Sequence, residues 1–153
     1  MKRKKAQRRE KVVMGGNATL KIAAERKNLV KIRRFIAKEA SAFRADPKTV
    51  GDLILAVDEA IANIIIHGYQ DRGGMVEIEL GRLNNDLLVW LRDQAPIFDP
   101  TKLPLPDITE PLESRNPGGL GIYIMRKSVD EILHRITENG QNELTFIKNM
   151  VFC

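Results

Sequence analysis

Apolar positions change period several times along the chain, and each change marks a new element. Residues 18–25, ATLKIAAE, alternate well enough to predict a strand. In 27–43, Leu29, Ile32, Ile36 and Phe43 recur near helical spacing with basic residues on the other side, which predicts a helix. Asp46-Pro47 restarts the chain, with Asp as N-cap and Pro at the first helical position. A second helix is expected from about 47 to 68, stopping near Gly68. After a turn at 71–74, MVEIELGRL (75–83) and DLLVWLRD (86–93) read as strands joined at Asn84-Asn85, a hairpin signal. From 94 to 117 the periodicity disappears and six of the seven prolines occur, so a lid or binding loop is expected. A glycine-initiated helix (118–131) and a hairpin closing around Gly140 complete the order. The order β-α-α-β-β-lid-α-β-β predicts an α+β fold, a two-layer α/β sandwich with helices on one face of a mixed, mostly antiparallel sheet.

The second helix carries a stripe that breaks its apolar composition. Four residues turn a helix through about 400°, so Glu59, Asn63 and His67 share one line and span about 12 Å. Two readings fit: the solvent face of an amphipathic helix whose core side is Leu53, Leu55, Ile61, Ile64 and Ile65, or the wall of a site. A metal cluster is the weaker idea, because His67 has no second His or Cys nearby and His134 falls in a predicted strand. Downstream, Asp93 ends a strand and opens the proline-rich loop. Gly118, Gly119 and Gly121 then lead into a helix, where backbone N–H groups and the helix dipole favour an anion. It is the ordered combination, E-x-x-x-N, a strand-end Asp, a lid and G-x-G before a helix, that favours the site.

Composition narrows the class. A chain of 153 residues, 43% hydrophobic and 29% charged, suits one soluble globular domain. No apolar run approaches the ~18 residues needed to cross a bilayer. The start, MKRKKAQRREKVV, lacks the apolar core of a signal peptide. The only cysteine, Cys153, excludes an internal disulfide framework and suits a reducing cytosol. The net charge of +5 is concentrated at the start: residues 1–13 hold seven Lys/Arg and one Glu, so the rest is close to neutral. Residues 1–16 are therefore expected to be a solvated tail before one domain spanning 17–153, and the charge is no argument for nucleic-acid binding.

The ordered motifs resemble those of the GHKL ATP-binding superfamily, which includes gyrase, the heat-shock chaperones, histidine kinases and mismatch-repair ATPases. Within it the chain is most similar to the bacterial anti-sigma factor serine/threonine kinases of the RsbW/SpoIIAB type. AVDEAIANIIIHGY matches their N box, RDQAPIFDP and GGLGIYIMRKSVDEI their glycine boxes, and NELTFIK their last strand. The likeness covers roughly residues 18–150. It implies ATP and Mg²⁺ as cofactors, with Asn63 as Mg²⁺ ligand and Glu59 as general base toward the attacking hydroxyl. It assigns Asp93 to the adenine amino group and Thr145 to a hydroxyl supporting the same base. The amides of Gly119, Leu120 and Gly121 fall to the phosphates, and Arg115, late in the lid, to phosphate or partner.

One position departs from the pattern. The first glycine box normally reads D-x-G, and here it is Asp93-Gln94-Ala95. If residue 95 had to adopt a positive φ, Ala95 would be strained there and nucleotide affinity lowered. The resemblance implies a cytoplasmic homodimeric kinase that holds a sigma factor and phosphorylates a serine on an anti-anti-sigma antagonist. The alternative is a regulatory module that binds ATP, or is blind to nucleotide, without kinase activity. No separate helix bears a phosphoacceptor His, which argues against half of a histidine kinase.

Overall fold

A computed structural model of the chain describes residues 17–103 and 119–149. The expected tail, Arg115, Gly118 and most of the lid lie outside these residues. Five strands form one sheet in the order β1-β2-β3-β5-β4: β1 Ala18–Ala23, β2 Met75–Leu83, β3 Asp86–Asp93, β4 Glu131–Ile136 and β5 Asn142–Lys148. The sheet, expected as mixed and mostly antiparallel, is antiparallel in all four pairings. The helices are α1 (Leu29–Ala42), α2 (Pro47–Asn63) and α3 (Gly119–Ser128). Among the described residues no helix is long and apolar enough to cross a membrane.

Strand alternation decides which face the helices cover. Val76, Ile78, Leu80, Leu87, Val89, Leu91, Leu144 and Phe146 point to one side. They meet Ile32 and Ile36 of α1, Leu53, Val57 and Ile61 of α2, and Ile122 and Met125 of α3 in one core. The opposite face carries a smaller cluster of Leu88, Trp90 and Ile147, together with an ion network. There Arg92 bonds Glu143 and Glu77 at 2.7 Å and Glu79 at 2.8 Å, and Arg135 bonds Glu143 at 2.7 Å.

The start of α2 forms as its sequence suggests. Asp46 is the N-cap, its carboxylate accepting from the Thr49 N–H at 2.8 Å, and Pro47 fills the first turn. Its end differs from a simple glycine stop. After Asn63 the helix widens into a π-helical turn, Ile64–Gly68, closed by the Tyr69 N–H on the Ile64 carbonyl at 2.7 Å. Such turns are rare, and they concentrate at functional sites. Gln70 and Asp71 then take left-handed φ values of 53° and 56°, and the chain turns into β2.

Candidate nucleotide site

The end of α2, the loop after β3 and the edge of the sheet enclose a cavity of about 170 Å³. One wall is Ala60, Asn63, Ile64, His67 and Gly68, so both Asn63 at the end of α2 and His67 in the π turn are on the cavity. The opposite wall is the chain leaving β3, from Asp93 through Ala95 to Phe98. Met125 of α3 and His134, Asn142 and Leu144 of the last two strands close the remaining sides. The stripe seen in the sequence therefore borders a cavity with two of its three members, Asn63 and His67. Its central member, Asn63, is half-buried and makes no side-chain hydrogen bond among the described residues.

Glu59 stands one turn before Asn63, outside the cavity wall and against the start of α3. A Cβ placed on Gly121 would lie 2.8 Å from Glu59 Oε2, so only glycine leaves this carboxylate its present position. Partial burial, with the charge of Asp58 beside it, raises the Glu59 pKa above the ordinary carboxylate value. The first turn of α3, which Gly121 belongs to, thus lies close to Glu59, and the N–H groups of a helix start suit an anion there.

Asp93 lies at the end of β3, 5% exposed. Its Oδ1 accepts from the Ala95 N–H at 3.0 Å and from Asn142 Nδ2 at 3.1 Å, whereas Oδ2 accepts nothing among the described residues. Burial raises its pKa; those two hydrogen bonds and nearby His134 pull it back only in part. Ala95 is not strained. It is absent from the residues with positive φ, and its methyl group occupies space that Gly68 leaves open. A Cβ on Gly68 would come within 2.9 Å of Ala95 Cβ, so the glycine this contact needs is supplied by the end of α2.

Thr145 is corrected. It pairs in register with Trp90 and Leu133 on the sheet face turned away from the helices, and it does not line the cavity. Asn142 and Thr145 are an odd number of residues apart on one strand, so they face opposite ways. Asn142 holds the cavity position expected of Thr145. Its alternation with Leu144 and Phe146, both on the helix side, is a signal that singles it out.

Two further residues had no comparable signal. Tyr69 donates its hydroxyl to the Met75 carbonyl at 2.7 Å and accepts from the Gln94 N–H at 2.8 Å, pinning the turn beside Asp93. His134 lines the cavity and meets Asn142, a contact that exists only because β4 and β5 pair.

These residues fit a nucleotide with a divalent cation. Among the described residues no three His, Cys, Asp or Glu side chains could hold a metal by themselves. A Mg²⁺ ion here would use few protein groups and the phosphate oxygens, as hard cations of its size commonly do. Asn63, on the cavity wall and without a side-chain hydrogen bond among the described residues, is the residue that would offer it an amide oxygen.

The profile of the histidine kinase-like ATPase domain matches residues 22–148. The serine-protein kinase RsbW of Bacillus cereus (strain AH820) is 29% identical over 117 residues, 74% of this chain and 73% of that protein. RsbW of Bacillus anthracis shows the same identity and coverage. Among solved structures, the RsbU and RsbW domains of Rv1364c from Mycobacterium tuberculosis superpose with a TM-score of 0.62 at 14% identity, a likeness of fold. That superposition covers 88% of this chain, which spans 32% of the longer one. With the match running from the end of β1 through β5 and taking in every residue that lines the cavity, the chain belongs to the histidine kinase-like ATPase domain family.

Proposed function

We propose that the chain is an ATP-dependent serine/threonine kinase of the anti-sigma type. It would hold a sigma factor and phosphorylate a serine on an anti-anti-sigma antagonist. The observation that carries this reading is the meeting of Glu59 and Gly121 beside Asn63. A carboxylate of raised pKa lies against the start of α3, one helical turn from an amide on the cavity wall that has no hydrogen-bond partner among the described residues. The kinship with RsbW serine-protein kinases supports it.

The chemistry divides among these groups. Asp93 Oδ2 accepts from the base's amino group, and the Ile97 and Phe98 side of the loop covers the base. Asn63 holds Mg²⁺, which when bound offsets phosphate charge and aligns the phosphates. The amides at Gly119, Leu120 and Gly121 take phosphate oxygens. The serine hydroxyl attacks the γ-phosphorus, the bond to the bridging oxygen breaks with ADP leaving, and Glu59 accepts the serine proton. A carboxylate of raised pKa is the better base for that proton, provided it is ionised at the working pH.

Gly121→Ala tests the placement of the base. The new methyl group must displace the Glu59 carboxylate, so phosphate transfer is expected to fall by up to about 100-fold while nucleotide affinity is largely kept. Parallel titration of ADP binding and of transfer rate checks this.

The reading as a whole is tested by incubating the protein with Mg-ATP and each candidate antagonist from the same genome. Phosphoserine on one antagonist, lost when that serine is changed to alanine, is the expected result. ATP binding with no transfer to any antagonist would favour a regulatory binding module instead.

A further inference from the structure

At the floor of the cavity runs a polar chain that none of these roles uses. Asn142 opens β5, 5% exposed. Its Nδ2 donates to Asp93 Oδ1 at 3.1 Å and faces the carbonyl oxygens of Ala95 at 3.1 Å and Pro96 at 3.2 Å. Its Oδ1 accepts from the Phe98 N–H at 3.1 Å. Those partners decide which end of the amide is which, because a carboxylate and carbonyls only accept and a backbone N–H only donates. His134 Nε2 stands 2.9 Å from the same Oδ1, so Nε2 carries the proton and donates. The other ring nitrogen, Nδ1, faces Asp99 Oδ2 at 3.8 Å, and the side chain is 6% exposed.

We propose that His134 is a positioning residue for base recognition: through Asn142 it holds Asp93 with one carboxylate oxygen committed and the other turned to the base. This rests on the reading of the cavity as a nucleotide site. Asp93 Oδ1 takes two hydrogen bonds and Oδ2 takes none among the described residues. A carboxylate so divided offers one acceptor to the ligand, which suits the single amino group on the edge of a 6-aminopurine. A 6-oxopurine brings an acceptor to that place, and two acceptors would face each other. Without the His134 donor, Asn142 Oδ1 keeps only the Phe98 N–H. The amide is then freer to turn from Asp93, whose Oδ1 keeps only the Ala95 N–H, so the carboxylate is less firmly held with Oδ2 toward the base. Because Asn142 also holds the Ala95, Pro96 and Phe98 backbone, the base-reading carboxylate and the wall over the base share one anchor.

The test titrates ADP and IDP, which differ only on that purine edge, into the wild-type chain and into His134→Phe, His134→Gln and Asn142→Ser, with Mg²⁺ present. The wild type is expected to prefer ADP. His134→Phe should weaken ADP binding by roughly tenfold, the scale of one buried hydrogen bond, and leave IDP binding nearly unchanged. The side-chain amide in His134→Gln can donate to Asn142 and should restore most of the preference. Asn142→Ser should lose the preference as His134→Phe does, and it decides the matter if the phenylalanine variant does not fold. Equal weakening of both nucleotides, unchanged ADP affinity, or no recovery in His134→Gln would overturn the proposal. Failure of the wild type to bind either nucleotide would remove the nucleotide reading itself and this proposal with it, a result unlike any of the others.

Discussion

Replacing Asn63 with alanine is expected to abolish Mg-ATP binding, weakening it by at least about 100-fold, the upper range for losing even an indirect partner of a bound metal. The expectation follows from what Asn63 does not do. It is the last residue of α2, borders the cavity and has no hydrogen-bond partner among the described residues, so its amide has no structural task there. Removing it should leave the melting temperature of the nucleotide-free protein nearly unchanged, since nothing buried loses a partner. Titration calorimetry with Mg-ATP, alongside thermal melts without nucleotide, separates the two effects. Binding kept within a few-fold would show that the amide holds no ligand.

Glu59→Gln should behave in the opposite way: nucleotide binding kept, phosphate transfer lowered by about 100- to 10,000-fold, the usual contribution of a general base. Burial first and Asp58 second raise the Glu59 pKa, so the ionised, proton-accepting form appears only above a pKa higher than the ordinary carboxylate value. The transfer rate of the wild type should therefore rise with pH through that raised pKa and then level off. The same shift has a consequence for stability. A carboxyl group whose pKa is higher folded than unfolded stabilises the fold fully below its unfolded pKa, and that contribution is lost as pH rises through the folded pKa. Buried Asp93 adds a term of the same sign. Above both pKa values, Glu59→Gln is thus expected to melt no lower than the wild type, and higher where the carboxylate is most desolvated. Equal loss of binding and transfer, with a lower melting temperature, would make Glu59 a structural residue.

The parts of the site that could be read from sequence are those set by local periodicity. Glu59 and Asn63 are one helical turn apart, so their common line follows from helix geometry and needs no tertiary contact. Asp93, at a strand end before a proline-rich loop, is likewise marked by what flanks it. Strand parity is readable too, and it puts Asn142 rather than Thr145 on the face with Leu144 and Phe146. The π turn at Ile64–Gly68 was not readable in this way. Its glycine packs against Ala95, which lies far along the chain, and Ala95 itself has no positive φ to strain it. His134 and Tyr69 act through partners on other strands and loops, so neither has a pattern within its own segment.

Every role assigned above depends on a Mg-ATP site bordered by the polar stripe on α2. A crystal structure with Mg²⁺ and a non-hydrolysable ATP analogue tests it most directly. The base's amino group is expected within hydrogen-bond distance of Asp93 Oδ2, with Asn63 bound to the metal and Glu59 facing the γ-phosphate from beside Gly121. An analogue bound elsewhere, or one in the cavity with its phosphates turned away from Asn63 and α3, would contradict it.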